Sequence, residues 1–75
     1  MAIKGKDELQ RVVVVNGRGV KTSAQTLEAL VAEQELAGRR VATALNGEFI
    51  PEARRASTAL KAGDKIEIVS PRQGG

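Results

Sequence analysis

Read with Gly75 as its last residue, the sequence closes on Ser70-Pro71-Arg72-Gln73-Gly74-Gly75. The group there with chemistry to offer is the terminal carboxylate. Two glycines ahead of it add nothing to a core and lose the most chain entropy when ordered. Such an ending is either a frayed terminus or a means of carrying a carboxylate into a narrow site. Pro71 has a fixed φ and no N–H, so it cannot continue a central strand and marks the exit from the fold. Extended at about 3.3–3.6 Å per residue, residues 70–75 reach about 20 Å. The expectation is a flexible tail, ending in Gln73, Gly74 and Gly75, that is long enough to enter another protein's active site.

The rest of the composition removes other chemistries. The 75 residues contain no cysteine and no histidine. That excludes Ser-His and Cys-His nucleophile arrangements and zinc sites of the usual ligand type. No pairing among the remaining Ser, Asp, Glu and Lys suggests catalysis, so the expectation is no catalytic residue of its own, no bound metal and no bound cofactor. Net charge is +3, but Phe49 is the lone aromatic and the basic residues are spread along the chain, so nucleic acid is not an expected partner. The apolar run Val12–Val15 is too short to cross a membrane. "MAIKGKDELQ" lacks the apolar core of a signal peptide. A cytoplasmic protein with no membrane partner is the expectation.

The elements that must position such a tail follow from the pattern. "RVVVVNGRGV" reads as a strand, Val12–Val15, followed by an Asn16-Gly17 hairpin turn, with Gly19 marking a bulge or a longer loop and a return strand over Val20–Thr22. Thr22-Ser23-Ala24-Gln25 fits a capping box. Leu27, Leu30 and Val31 then recur at helical spacing, and Gly38 marks the stop, so a helix is expected from about Ala24 to Ala37. Val41–Leu45, the Asn46-Gly47 turn and Glu48–Ile50 form a second hairpin closed by Pro51. "PEARRASTAL" connects, with one helical turn. Ala62-Gly63-Asp64 turns into "KIEIV", which places Lys65 and Glu67 on one face and Ile66 and Ile68 on the other. The order is β-β-α-β-β-β, one helix over one sheet in the α+β class. Four successive valines line both sheet faces. Beside simple β-propensity, this suggests an apolar partner patch on the open face, with Val13, Val15 and Phe49 as candidates.

From Val12 to Gly75 the chain resembles the ThiS family of sulfur carriers of bacterial thiamine biosynthesis. The resemblance rests on the early "VNG", on "VATALNGEFIP", and on "TALKAGDKIEIV" followed by "QGG". It implies a ubiquitin-like β-grasp fold, with four to five strands in a mixed sheet packed on one helix. The expected organisation is 1–11 as an extension without assigned role, 12–69 as the β-grasp domain and 70–75 as the tail. Two departures stand out. "MAIKGKDELQ" precedes the usual family start. Where members often carry a basic residue after the proline and an aromatic soon after, this chain has Glu52 and Arg54 or Arg55.

The resemblance implies a protein cosubstrate, not an enzyme. A ThiF-type, E1-like adenylating enzyme, its active site threaded by Gln73, Gly74 and Gly75, would couple the carboxylate of Gly75, the residue modified, to AMP at the expense of ATP. A persulfide donor would supply sulfur to form a thiocarboxylate. A ThiG-type thiazole synthase would take that sulfur for the thiazole ring. Two other readings fit less of the sequence. One is a molybdopterin synthase small subunit or another ubiquitin-like carrier or modifier, usually longer between the helix and the last strand. The other is an interaction domain with an inert tail.

Overall fold

The computed structural model describes residues 10–36 and 38–70. Gln73, Gly74 and Gly75, and residues 1–9, lie outside the described residues. Strands β1 (Arg11–Val15), β2 (Arg18–Thr22), β3 (Ala42–Leu45), β4 (Glu48–Ile50) and β5 (Lys65–Val69) form one sheet in the order β2-β1-β5-β3-β4. β1 runs parallel to β5, and the other pairs are antiparallel. The helix α1 (Leu27–Glu33) and a 3₁₀ helix (Glu52–Ser57) complete the elements among the described residues.

Both Asn-Gly hairpins form as the sequence predicts. Asn16 and Gly17 have φ of 52° and 82°, and Asn46 and Gly47 have 51° and 88°. Positive φ at both central residues matches the right-handed twist of the flanking strands. The first hairpin pairs Val15 directly with Arg18, so Gly19 lies within β2, opposite Val14, and is not a bulge.

The helix is shorter than its spacing predicts, and each end has its own reason. Thr22 is not its cap. It ends β2, is buried, accepts the Ala24 N–H at 2.9 Å and donates to the Glu33 carboxylate. Thr26 caps instead, accepting the Ala29 N–H at 3.1 Å. The entry is held by Leu27 N–H to Thr58 O at 2.9 Å and Leu60 N–H to Gln25 O at 3.0 Å. At the other end, Glu35 adopts φ 62°. Leu36 N–H reaches Val31 O at 3.0 Å and Glu35 N–H reaches Ala32 O at 2.9 Å. This is a Schellman ending, with Glu35 in the left-handed position that glycine usually takes. The helix therefore stops well before Gly38.

Seven residues are too few for an independently stable helix. Packing supplies what propensity cannot. Leu27, Leu30 and Val31 bury against Val13, Val15, Ile50, Leu60, Ile66 and Ile68. All the core residues from the sheet therefore share one face.

Candidate functional site

β5 is the element that leads toward the terminal glycines, and it lies in the middle of the sheet. Its alternation is as the sequence predicts, with Ile66 and Ile68 buried and Lys65, Glu67 and Val69 exposed. β1 flanks it on one side, pairing Val15 with Ile66. β3 flanks it on the other, pairing Thr43 with Ile68 and Ala42 with Val69. The last described residue, Ser70, follows directly.

The valine run divides differently from the expected partner patch. Val13 is fully buried and Val15 nearly so, both beneath α1. Neither is on the open face. The register beside Ile66 decides this, because a shift of one residue would exchange the two faces. The open face instead presents Val12, 52% exposed, and the half-buried Val14. Phe49, at 64%, is on that face, and Val69, at 57%, joins it. Ala44 stands between Phe49 and Glu67 across three strands, and Ala42 stands beside Val69. Lys21 and Lys65 pair with Val12 and Val14 on the β1 side. The result is an apolar strip from Phe49 through Ala44 and Ala42 to Val69, which adjoins Ser70, and Lys65 and Glu67 separate it from Val12 and Val14. The clean alternation of "KIEIV" carries the signal for Val69; four adjacent valines carry none for β1.

The loop where the sequence departs from the family pattern is mostly structural. Arg55 is only 7% exposed. Its Nε donates to Thr43 Oγ1 at 3.0 Å and its Nη2 to Val41 O at 2.7 Å. Thr43 in turn donates to Ile50 O at 2.8 Å. The guanidinium thus braces β3 and β4 from the core side. With Arg39, Arg40, Glu28 and Glu52 it also lines a cleft of about 300 Å³ beside α1. Glu52 and Arg54 are exposed. Among the described residues, no group of three acidic side chains is placed to hold a metal ion, and no helix is long and apolar enough to cross a membrane.

Comparison with known proteins agrees with this geometry. A sequence profile of the ThiS family matches residues 10–75. A crystal structure of the thiamine biosynthesis protein ThiS from Geobacter metallireducens superposes with a TM-score of 0.69 at 28% identity, covering 85% of this chain and 99% of that one. A thiazole synthase from Paramagnetospirillum magneticum is 41% identical over 64 residues, which is 84% of this chain. The chain spans only 20% of that relative's length.

Proposed function

The chain belongs to the ThiS family and has its β-grasp fold, and from that premise we propose that it is a sulfur carrier for thiazole formation in thiamine biosynthesis. The single observation that carries the reading is the family match through residue 75, which takes in the terminal Gly74-Gly75. A carboxylate is a poor electrophile because its oxygen leaves poorly. An adenylating partner would use ATP to make the mixed anhydride of Gly75 with AMP, releasing pyrophosphate. The terminal sulfur of a persulfide donor would then displace AMP to form an acyl disulfide, and a thiol would attack the donor's sulfur, breaking the S–S bond, leaving the donor in a disulfide and releasing the thiocarboxylate. A thiazole synthase would take the sulfur. The carrier supplies a reach, a docking face and an end group, and the nucleotide site belongs to its partner. The matching segment within a thiazole synthase supports that enzyme class as a partner.

The test is intact mass of the protein isolated from cells that make thiamine. The expected species ends at Gly75, and a fraction of it is heavier by the exchange of one oxygen for sulfur. A chain that continues past Gly75, or one that never carries sulfur in such cells, overturns the reading.

In this reading the strip around Phe49 and Val69 is the docking face for the adenylating enzyme. Burying one such side chain contributes about 1.5–3 kcal/mol. Phe49→Asp is expected to weaken association by roughly tenfold or more while shifting stability by no more than about 0.5 kcal/mol, as exposed positions do. Titration against the adenylating enzyme, with a thermal melt alongside, measures both. Unchanged affinity would remove Phe49 from the interface.

A further inference from the structure

Asn16 stands where β1 ends. Val14 N–H donates to Asp64 O at 2.8 Å and Asn16 N–H to Ile66 O at 2.9 Å, the evenly spaced pattern of a parallel ladder. If β1 continued, its next rung would need two groups facing Ile68: the carbonyl of residue 16 to accept and the N–H of residue 18 to donate. The chain instead turns away at Asn16 and Gly17 to build β2. The Asn16 side chain supplies both missing partners. Its Oδ1 accepts from Ile68 N–H at 2.9 Å, and its Nδ2 donates to Ile68 O at 3.1 Å. The fixed polarity of the Ile68 backbone dictates which way the amide faces.

The second hairpin provides a matched case at the opposite end of β5. Asn46 Oδ1 accepts from Lys65 N–H at 2.9 Å, and its Nδ2 donates to Asp64 Oδ1 at 3.1 Å. Asn46 thus holds the entry of β5, and Asn16 holds its exit, two residues before Ser70.

We propose that Asn16 is a positioning residue: its carboxamide is a surrogate strand rung that clamps the end of β5 and sets where the chain leaves the sheet toward Gly75. β3 holds the same stretch from the other side through Val69. Without Asn16, the Ile68 N–H and C=O, which both face the β1 side, lose the partners they have there. The functional half of this proposal rests on the sulfur-carrier reading. Once the open face has docked, delivery of the end group is an intramolecular step, and its efficiency depends on how narrowly the root of the segment is held. The clamp therefore acts on turnover after docking and not on docking itself.

The test substitution is Asn16→Gly, which accepts the positive φ of the turn without strain and removes only the carboxamide. Asn46→Gly is the control. Amide hydrogen exchange reads the clamp directly. Losing a part-buried hydrogen bond is expected to speed exchange at Ile68 by roughly tenfold in Asn16→Gly, with Ile66 unchanged, whereas Asn46→Gly is expected to speed Lys65. In ATP–pyrophosphate exchange with the adenylating enzyme, Asn16→Gly is expected to lower kcat several-fold at constant KM for the carrier. Asn46→Gly is expected to keep kcat close to that of the parent. Unchanged exchange at Ile68 overturns the clamp. A normal kcat in Asn16→Gly, or an equal loss in Asn46→Gly, overturns its positioning role. If the parent protein is itself not adenylated, the sulfur-carrier reading fails, and the Ile68 exchange rate still decides the clamp.

Discussion

Gly74→Ala is expected to fold as the parent does and to be adenylated about a hundredfold more slowly. The substitution leaves the acidity of the Gly75 carboxylate nearly untouched, so the intrinsic chemistry survives. It adds one methyl group and makes positive φ costly. If the two glycines merely supplied slack, one alanine would cost little. If the end group passes through a close-fitting channel, the methyl meets its wall and displaces the reacting carbonyl, and a shift of about 1 Å is enough for a loss of that size. Deleting Gly75 is expected to be worse, because the new carboxylate falls about 3.5 Å short of its place. ATP–pyrophosphate exchange with the adenylating enzyme measures both variants, and a thermal melt establishes that they are folded. Parental rates for both would mean that the end group is not what the partner acts on. The sulfur-carrier reading would then fall, while the fold and the Ile68 clamp would stand.

Leu30→Ala is expected to bring the domain close to unfolding. Leu30 is fully buried at the centre of a seven-residue helix that has little stability of its own. Leu27 and Val31 beside it are the other helix residues that meet the sheet. Truncating a buried leucine costs about 2–5 kcal/mol, through lost transfer energy and the cavity left behind. At roughly 0.05–0.15 kcal/mol per residue, a domain this small holds a margin of only about 4–11 kcal/mol in all. The melting temperature is therefore expected to fall by at least about 8 °C, with part of the population unfolded at the upper end of the range. An exposed change such as Lys21→Ala is expected to stay within about 0.5 kcal/mol. A melt of Leu30→Ala equal to that of Lys21→Ala would mean that α1 does not hold the sheet.

The two effects belong to different parts of the molecule, and the sheet joins them. The same β5 that buries Ile66 and Ile68 beneath α1 presents Val69 on the open face and leads to Ser70. Core truncation therefore acts on the carrier through its population of folded molecules. Changes at Gly74 or Asn16 are expected to act on what a folded molecule delivers. Measuring stability and pyrophosphate exchange on the same samples separates the two.

Local signals in the sequence settled the local structure. Asn16-Gly17 and Asn46-Gly47 specify tight hairpins because both of their residues accept positive φ. The alternation in Lys65–Val69 assigns a face to every residue of β5. The absence of cysteine and histidine removes whole classes of chemistry, and the motifs from "VNG" to "QGG" point to the family and its fold. What stayed hidden depends on partners distant in the chain. Four adjacent valines carry no alternation, so only the pairing of Val15 with Ile66 shows that Val13 and Val15 face the core and Val12 and Val14 the open side. The capping pattern at Thr22 lost to tertiary contacts, since β2 claims Thr22 and Thr58 holds Leu27, leaving Thr26 as the cap. Arg55 reads only as part of a connector in sequence, yet it lies buried because Thr43 Oγ1 and Val41 O, brought to it by β3, meet its donors. Asn16 signals a turn in sequence; its second role appears only when Ile68, 52 positions away, is brought beside it. In each case local propensity acts over a few residues, whereas register and burial are set by contacts that exist only once the sheet has closed around β5.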